Sequence, residues 1–559
     1  MTLSNDDRSP STSTSPHSLG TAVSSEAATM DKSKRYDRGI RVWGAHGQEA
    51  LEAARVCLLN AGPTGTEALK NLVLGGIHSF TIVDGAKVTP ADLGNNYLLT
   101  ADALAASRAQ CATECLKEMN ETVAGSYVEE TPRSLMNSNP DFFRQFTLVI
   151  ATQLSEADAT NLDAICRQHG VRLLLLRSYG LVGYLRPSMP EHRVIESKPD
   201  SKVDDLRLAN PWPELAAYVD SLDLATAEDH VHSHIPYAVL LAKAAKQWQQ
   251  EHGGALPAST AERSAFKELL KGWQRDIDGI PLEEENFTEA VSNAHKVWAP
   301  PSVPSELRAI LADPAADTIT AKSPDFWVLV AALKRFIEQE GQGQLPLEGG
   351  IPDMHASTQQ YLELQRVYRA RADADAAAVE AYARSLLEAA GRDPNSISTA
   401  DVKHFCKHAR YIRLVRWRSL LEETEAGSCR GEALRSALAA EDTADNAALY
   451  VLLRAADRFF ETYQRYPGAY DNEVAEDAAL LKSQANALLA ECGAAGAVVS
   501  DDLVGEICRC AAGELHVVAA VVGAIAAQEA IKLITCQYTP VGGALIYNAM
   551  ASTTSVFTF

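Results

Sequence analysis

Short apolar runs alternate with longer amphipathic stretches through the first third of the chain. The runs predict strands over 55–60, 79–84, 126–130, 146–151, 171–176 and 181–186, and the stretches predict helices over 65–75, 101–119 and 156–169. Alternation of this kind implies a mainly parallel sheet with helices on both faces. Residues 171–176 are apolar except for Arg172, as a strand covered on two sides should be. From about 200 to 500 the period becomes helical, with helices expected over 237–249, 260–273, 285–297, 326–339, 358–390, 399–426 and 446–463. Proline-rich breaks at 300–304 and 341–352 separate these groups. After 501 the α/β pattern returns, with a buried helix over 515–535 and strands over 544–547 and 555–559 beyond the Gly542-Gly543 turn. The reading is one α/β domain, residues 33–190 and 501–559, interrupted by a mostly helical insertion, 191–500.

Composition narrows the class. The 559 residues are 46% hydrophobic and 22% charged, with a formal net charge of -22. That balance is the profile of a soluble globular protein, and an acidic chain lacks the basic face a nucleic-acid binder needs. Ten scattered cysteines without a CxxC pair predict reduced thiols and no zinc site. Residues 1–30 hold 13 Ser or Thr and no apolar core, so 1–32 reads as a disordered tail rather than a secretory signal. The most apolar stretch, 515–527, is too short to span a bilayer. No membrane is expected, and the location expected is the cytoplasm and nucleus.

Chemistry concentrates between Arg55 and Asp84. A strand, the turn Asn60-Ala-Gly-Pro-Thr-Gly65, a helix and a second strand ending in Asp84 form the opening of a nucleotide-binding α/β unit. In a working cradle, glycines let backbone N–H groups approach phosphate, and the helix N-terminus favours its charge. Here only Gly62 and Gly65 remain, Asn60 stands where a glycine belongs, and Pro63 removes a donor. The turn therefore reads as retained without its ligand. Asp84 fits either a ribose-binding acid or a cap on the turn that follows. His230-Val-His-Ser-His234 reads as solvated or helix-capping imidazoles rather than a metal site. Cys508-Arg-Cys510 reads as buried thiols without a base. Arg35-Tyr-Asp-Arg38 and Arg41, just upstream of the first strand, suggest phosphate contacts across a subunit interface.

Arg35–Gly44 with His46–Leu51 resembles the opening of ubiquitin-like-modifier activating enzymes. Asn60–Glu67, Phe80–Gly85, Tyr179–Tyr184, Glu340–Pro346, Ile351–Met354, Leu453–Arg458 and Arg465–Gly468 narrow the likeness. Together they resemble the regulatory, non-catalytic subunits of the heterodimeric neddylation (Nedd/Rub) activating enzymes, the amyloid-protein-binding protein family. The resemblance spans about 33–559 and implies a Rossmann-like, ThiF/MoeB-type adenylation fold. It also implies a catalytic partner subunit that binds ATP and magnesium and adenylates the C-terminal glycine of a Nedd/Rub modifier. That partner then takes the modifier as a thioester, upstream of a conjugating enzyme, met only indirectly, and of cullin neddylation.

Against the catalytic pattern of that family, Asn60 replaces a glycine, Ala86 lies near a missing acid, and Asn95-Asn96 replaces an Arg-Gln pair. Arg108 replaces a lysine, Leu154 lies near a missing metal ligand, and the insertion lacks a Pro-x-Cys-Thr nucleophile. The resemblance thus implies no cofactor or metal in this chain, with Asn60, Gly62, Gly65, Asp84, Asn95 and Arg108 forming a degenerate site. It implies that Arg38 reaches in trans toward the partner's ATP, from a segment that Gly39, in place of a glutamine, would loosen. It places partner contacts at His234, Pro236, Tyr237, Gly341, Gly343, Leu345 and Pro346. The alternatives are a free-standing oxidoreductase using Asp84, or a pure scaffold.

Overall fold

A computed structural model describes residues 34–277 and 280–559, so the expected tail, 1–32, lies outside the described residues. The chain divides into two compact units, one of residues up to His192 together with Val415–Phe559, the other Arg193–Leu414. The first unit opens with helix α1 (Asp37–Ala53), β1 (Arg55–Leu59), α2 (Pro63–Leu74) and β2 (Ser79–Val83). There follow α3 (Arg108–Met119), β3 (Ala124–Val128), β4 (Leu148–Thr152), α4 (Glu156–His169), β5 (Arg172–Tyr179) and β6 (Val182–Ser188). After the second unit come α5 (Ala444–Tyr463), α6 (Val474–Glu491), α7 (Asp501–Cys510), α8 (His516–Thr535), β7 (Ala544–Asn548) and β8 (Thr553–Phe557).

The eight strands form one sheet in the order β8-β7-β6-β5-β4-β1-β2-β3. The β3-β2-β1-β4-β5 half is parallel and the rest antiparallel. Central β4 is buried at all five positions, because helices cover both faces of a parallel sheet. α4 starts on the Ser155 side chain, which accepts the Asp158 N–H, and stops at Gly170 in the left-handed region. α8 lies against α2 so closely that a side chain on Gly523 would meet Glu67 Cβ at 2.5 Å. α8 has the length and composition to cross a membrane, and 56% of its apolar window is buried inside the protein.

The boundary between the units differs from the expected insertion of 191–500. Helices α5, α6 and α7 share a core with Tyr179, Val182, Ala544, Ile546 and Phe557 of the sheet. They cover the antiparallel half of the sheet, so only 193–414 is a separate unit. That second unit holds helices Tyr237–Glu251, Thr260–Lys271, Asp325–Glu338 and Thr358–Ala389 around two apolar clusters.

Two further expectations change. The helix expected over 101–119 begins only at Arg108, where Ser107 caps it; Ala101–Ala103 is a separate short 3-10 turn. The helix expected over 399–426 ends at His408, and Arg413–Val415 is extended. The β-branched and aromatic run from Tyr411 to Trp417 favours strand over helix.

Candidate functional site

The glycine turn lies where the sheet presents the carboxyl ends of β1, β2 and β4, the edge at which open α/β sheets hold ligands. Asn60 follows β1 with φ +65°, and its side chain donates to the Thr152 carbonyl at 2.7 Å, tying β1 to β4. Gly65 is a packing requirement: an added Cβ would lie 2.8 Å from Leu58 Cδ1 and 2.9 Å from the Asn60 carbonyl oxygen. Pro63 occupies the first turn of α2, where its missing N–H would have had no helical partner anyway.

The anion seat at the start of α2 is filled by the chain itself. Glu514, in the short connection between α7 and α8, accepts from Thr64 Oγ1 at 2.6 Å and from the Thr64 N–H at 3.4 Å. Its Oε1 stands 2.6 Å from where a Gly62 Cβ would be. The connection is fixed by a Gly180 N–H to Gly513 carbonyl bond of 2.7 Å and by Asn95, whose amide donates to the Glu514 carbonyl at 3.1 Å. Burial raises the Glu514 pKa and outweighs the lowering by Thr64.

The cation of the site is equally committed. Arg108 donates through Nε to Asp84 at 2.7 Å and through Nη1 to Asp92 at 3.1 Å. Burial lowers the Arg108 pKa, but Asp84 and Asp92 raise it further. At Asp92 burial acts upward, while Thr89 and Arg108 prevail and hold the carboxyl low. Asp84, buried, also accepts from the N–H groups of Ala61 at 2.7 Å and Ala86 at 2.8 Å. Of the two roles open to Asp84, the structure displays the capping one.

Glu514 in the seat and Arg108 held by two carboxylates do not fit a nucleotide triphosphate with its metal: a side-chain oxygen already meets the start of the helix and the cation is neutralised. The resemblance places Asn60, Gly62, Gly65, Asp84, Asn95 and Arg108 at one site, and the structure brings all six together. Glu514 was not singled out. Its partner is 450 residues away, and an acid before an apolar helix was the only signal available.

The arginine arm is built differently. Tyr36 is buried, its hydroxyl accepting from Asn120 at 3.1 Å, and Gly76 leaves room for the ring. Trp43 Nε1 donates to Gln48, which donates to the Gly75 carbonyl, both at 3.1 Å. Between these anchors Arg38 is exposed, as is Arg35 just before them, and Arg41 pairs with Asp37 at 3.0 Å. No hydrogen bond or ion pair engages Arg38 among the described residues. Gly39 lies within α1, and its missing side chain makes room for the Trp43 ring.

Other expected contacts move inward. Pro236, Tyr237, Gly341, Leu345 and Pro346 are buried within the helical unit, and only His234 and Gly343 reach its surface. Tyr237 begins a core helix, and its hydroxyl accepts from Lys296 at 3.1 Å. In the histidine motif His232 is neither solvated nor a cap: it is buried, 2.6 Å from Glu284 and stacked on Phe287. Cys508 is buried and Cys510 half-buried, and burial raises both thiols.

A family model described as the ThiF family matches residues 36–558. The chain is 48% identical over 516 residues to a protein of Arabidopsis thaliana named NEDD8-activating enzyme E1 regulatory subunit AXL, covering 92% of this chain and 97% of that protein. It is 44% identical over 527 residues to the NEDD8-activating enzyme E1 regulatory subunit of Gallus gallus, covering 94% and 98%. Identity to the subunit of that name from Saccharomyces cerevisiae (strain ATCC 204508 / S288c) is 30% over 397 residues, covering 68% and 80%.

Proposed function

Because the chain belongs to the ThiF family and, within it, to the NEDD8-activating enzyme E1 regulatory subunits, we propose that it is the non-catalytic half of a heterodimer that starts neddylation. Its partner is a catalytic subunit that holds ATP and magnesium, adenylates the C-terminal glycine of the NEDD8-type modifier and takes it as a thioester. This chain binds no nucleotide of its own. The observation that carries the reading is Glu514 seated at the start of α2 with its oxygen 2.6 Å from Thr64 Oγ1. A carboxylate there meets the helix terminus that a phosphate would need.

Arg38 is the residue through which the chain reaches the partner's chemistry. An exposed guanidinium on an anchored arm suits planar, multidentate contact with phosphate. The oxidoreductase alternative loses its ribose acid, since both Asp84 oxygens already accept bonds within the protein.

ATP–pyrophosphate exchange with purified modifier tests the assignment. The chain alone is expected to be inert, and addition of the catalytic subunit should switch exchange on. Exchange by the isolated chain would overturn the reading.

A further inference from the structure

Two thiols far along the chain meet in the first unit. Cys492 caps the C-terminal end of α6, and Cys429 lies in the loop before helix Gly431–Ala439. The two side chains adjoin, and each is the first influence on the other's titration. Their backbones are held together on both sides. Gly431 lies so near the Cys492 carbonyl that a side chain would collide with it, and Arg435 donates to the Gly493 carbonyl at 2.6 Å.

The surroundings are those of an activated thiol. Arg454 Nη1 approaches Cys492 Sγ at 3.8 Å while its other nitrogens hold Glu156 at 2.5 and 3.3 Å. The Cys429 side chain is the first cause lowering the Cys492 pKa; burial opposes it, and Arg454 and Arg458 add to it. Cys57, Cys111, Cys115, Cys166, Cys406, Cys508 and Cys510 are all raised. A thiolate beside arginine is the reactive form of cysteine. Cys492 itself is 4% exposed, under a loop whose Glu425, Ala426 and Gly427 are open to solvent and whose Cys429 is half-buried.

We propose that Cys429 and Cys492 form a peroxide-responsive dithiol, a modification site that closes to a disulfide tying the 425–430 loop to the end of α6. The Cys492 thiolate attacks one oxygen of hydrogen peroxide, the O–O bond breaks, and the departing hydroxide takes a proton to leave as water. The resulting sulfenic acid is attacked by the Cys429 sulfur; the S–O bond breaks, and the Cys429 proton leaves with hydroxide as a second water. Two thiols are oxidised and one peroxide is reduced, which is the reversible first rung of cysteine oxidation. The same loop region braces the chain terminus, since Arg418 donates to the Ser428 and Phe559 carbonyls. The tie therefore locks the outer edge of the sheet.

The test treats the full chain with hydrogen peroxide, alkylates the remaining thiols and maps the peptides by mass spectrometry. The expected result is paired loss of Cys429 and Cys492 as one cross-linked peptide, regenerated by dithiothreitol, while Cys111 and Cys115 stay alkylatable. In Cys429→Ser, a near-isosteric change, Cys492 should stop at a sulfenic acid trapped by dimedone. Oxidation of Cys111 or Cys115 before either member of the pair, or sulfenic acid at Cys492 persisting in the unsubstituted protein, would overturn the proposal.

Discussion

The glycine turn at Asn60–Gly65 and the arginine arm at Arg35–Arg41 belong to the same unit and have opposite chemistry. At the turn, the groups that could meet a phosphate are already engaged: Thr64 by Glu514, Arg108 by Asp84 and Asp92, the Ala61 N–H by Asp84. On the arm, buried Tyr36 and the Trp43–Gln48 pair anchor the backbone and leave Arg38 facing solvent. A binding fold can thus keep its architecture while the phosphate-facing groups of its turn bond to one another, and a neighbouring segment keeps its guanidinium open.

Substitutions at the two places should therefore fail in different ways. Arg38→Ala should cut ATP–pyrophosphate exchange by the reconstituted pair on the order of 10³-fold, the low end of arginine-finger effects. It should leave stability within about 0.5 kcal/mol, as exposed positions do. Equal exchange rates would dissolve the contrast and favour a pure scaffold. Asp84→Ala should do the reverse, costing about 2–4 kcal/mol in chemical denaturation, because it leaves the Ala61 and Ala86 N–H groups without an acceptor and takes one of the two carboxylates that hold Arg108. A loss under about 1 kcal/mol would show that the turn does not depend on these bonds.

Gly65→Ala comes next, with an expected loss of about 1–3 kcal/mol, since the added methyl presses on Leu58 and the Asn60 carbonyl. An unchanged unfolding midpoint would show that the glycine is free to vary. Glu514→Gln should have the smallest effect, read as a change in pH dependence. The folded-state pKa of Glu514 is raised by burial, so the stability it contributes is present below the ordinary carboxylate range and is lost as pH rises through the folded value. From neutral toward mildly acid pH the unsubstituted protein should gain stability relative to Glu514→Gln. Parallel curves would show that Glu514 is not desolvated in its seat.

The sequence carried this contrast unevenly. Strand–turn–helix periodicity placed α4 at its observed bounds and joined Asn60, Gly62, Gly65 and Asp84 in one turn, because local pattern and turn chemistry suffice there; Asn95 and Arg108 were joined to it only through the family resemblance. It missed α6, whose Ala-Glu-Asp-Ala-Ala-Leu-Leu-Lys-Ser-Gln-Ala-Asn-Ala pattern is so rich in alanine that the apolar stripe has little contrast. It assigned 415–500 to the insertion, since helices that cover a sheet and helices of a separate unit have the same period. It read the arm's arginines correctly as a basic segment, but not that Tyr36 and Trp43 are its anchors. The Thr64–Glu514 contact closes across 450 residues of sequence, and no local rule reaches that far.

Titration calorimetry of magnesium-ATP into the isolated chain is the most direct test that the seat belongs to Glu514. The account predicts no saturable heat and no nucleotide-dependent shift in the unfolding midpoint. Stoichiometric binding that is lost on Gly62→Ala would place nucleotide at the start of α2 and contradict it.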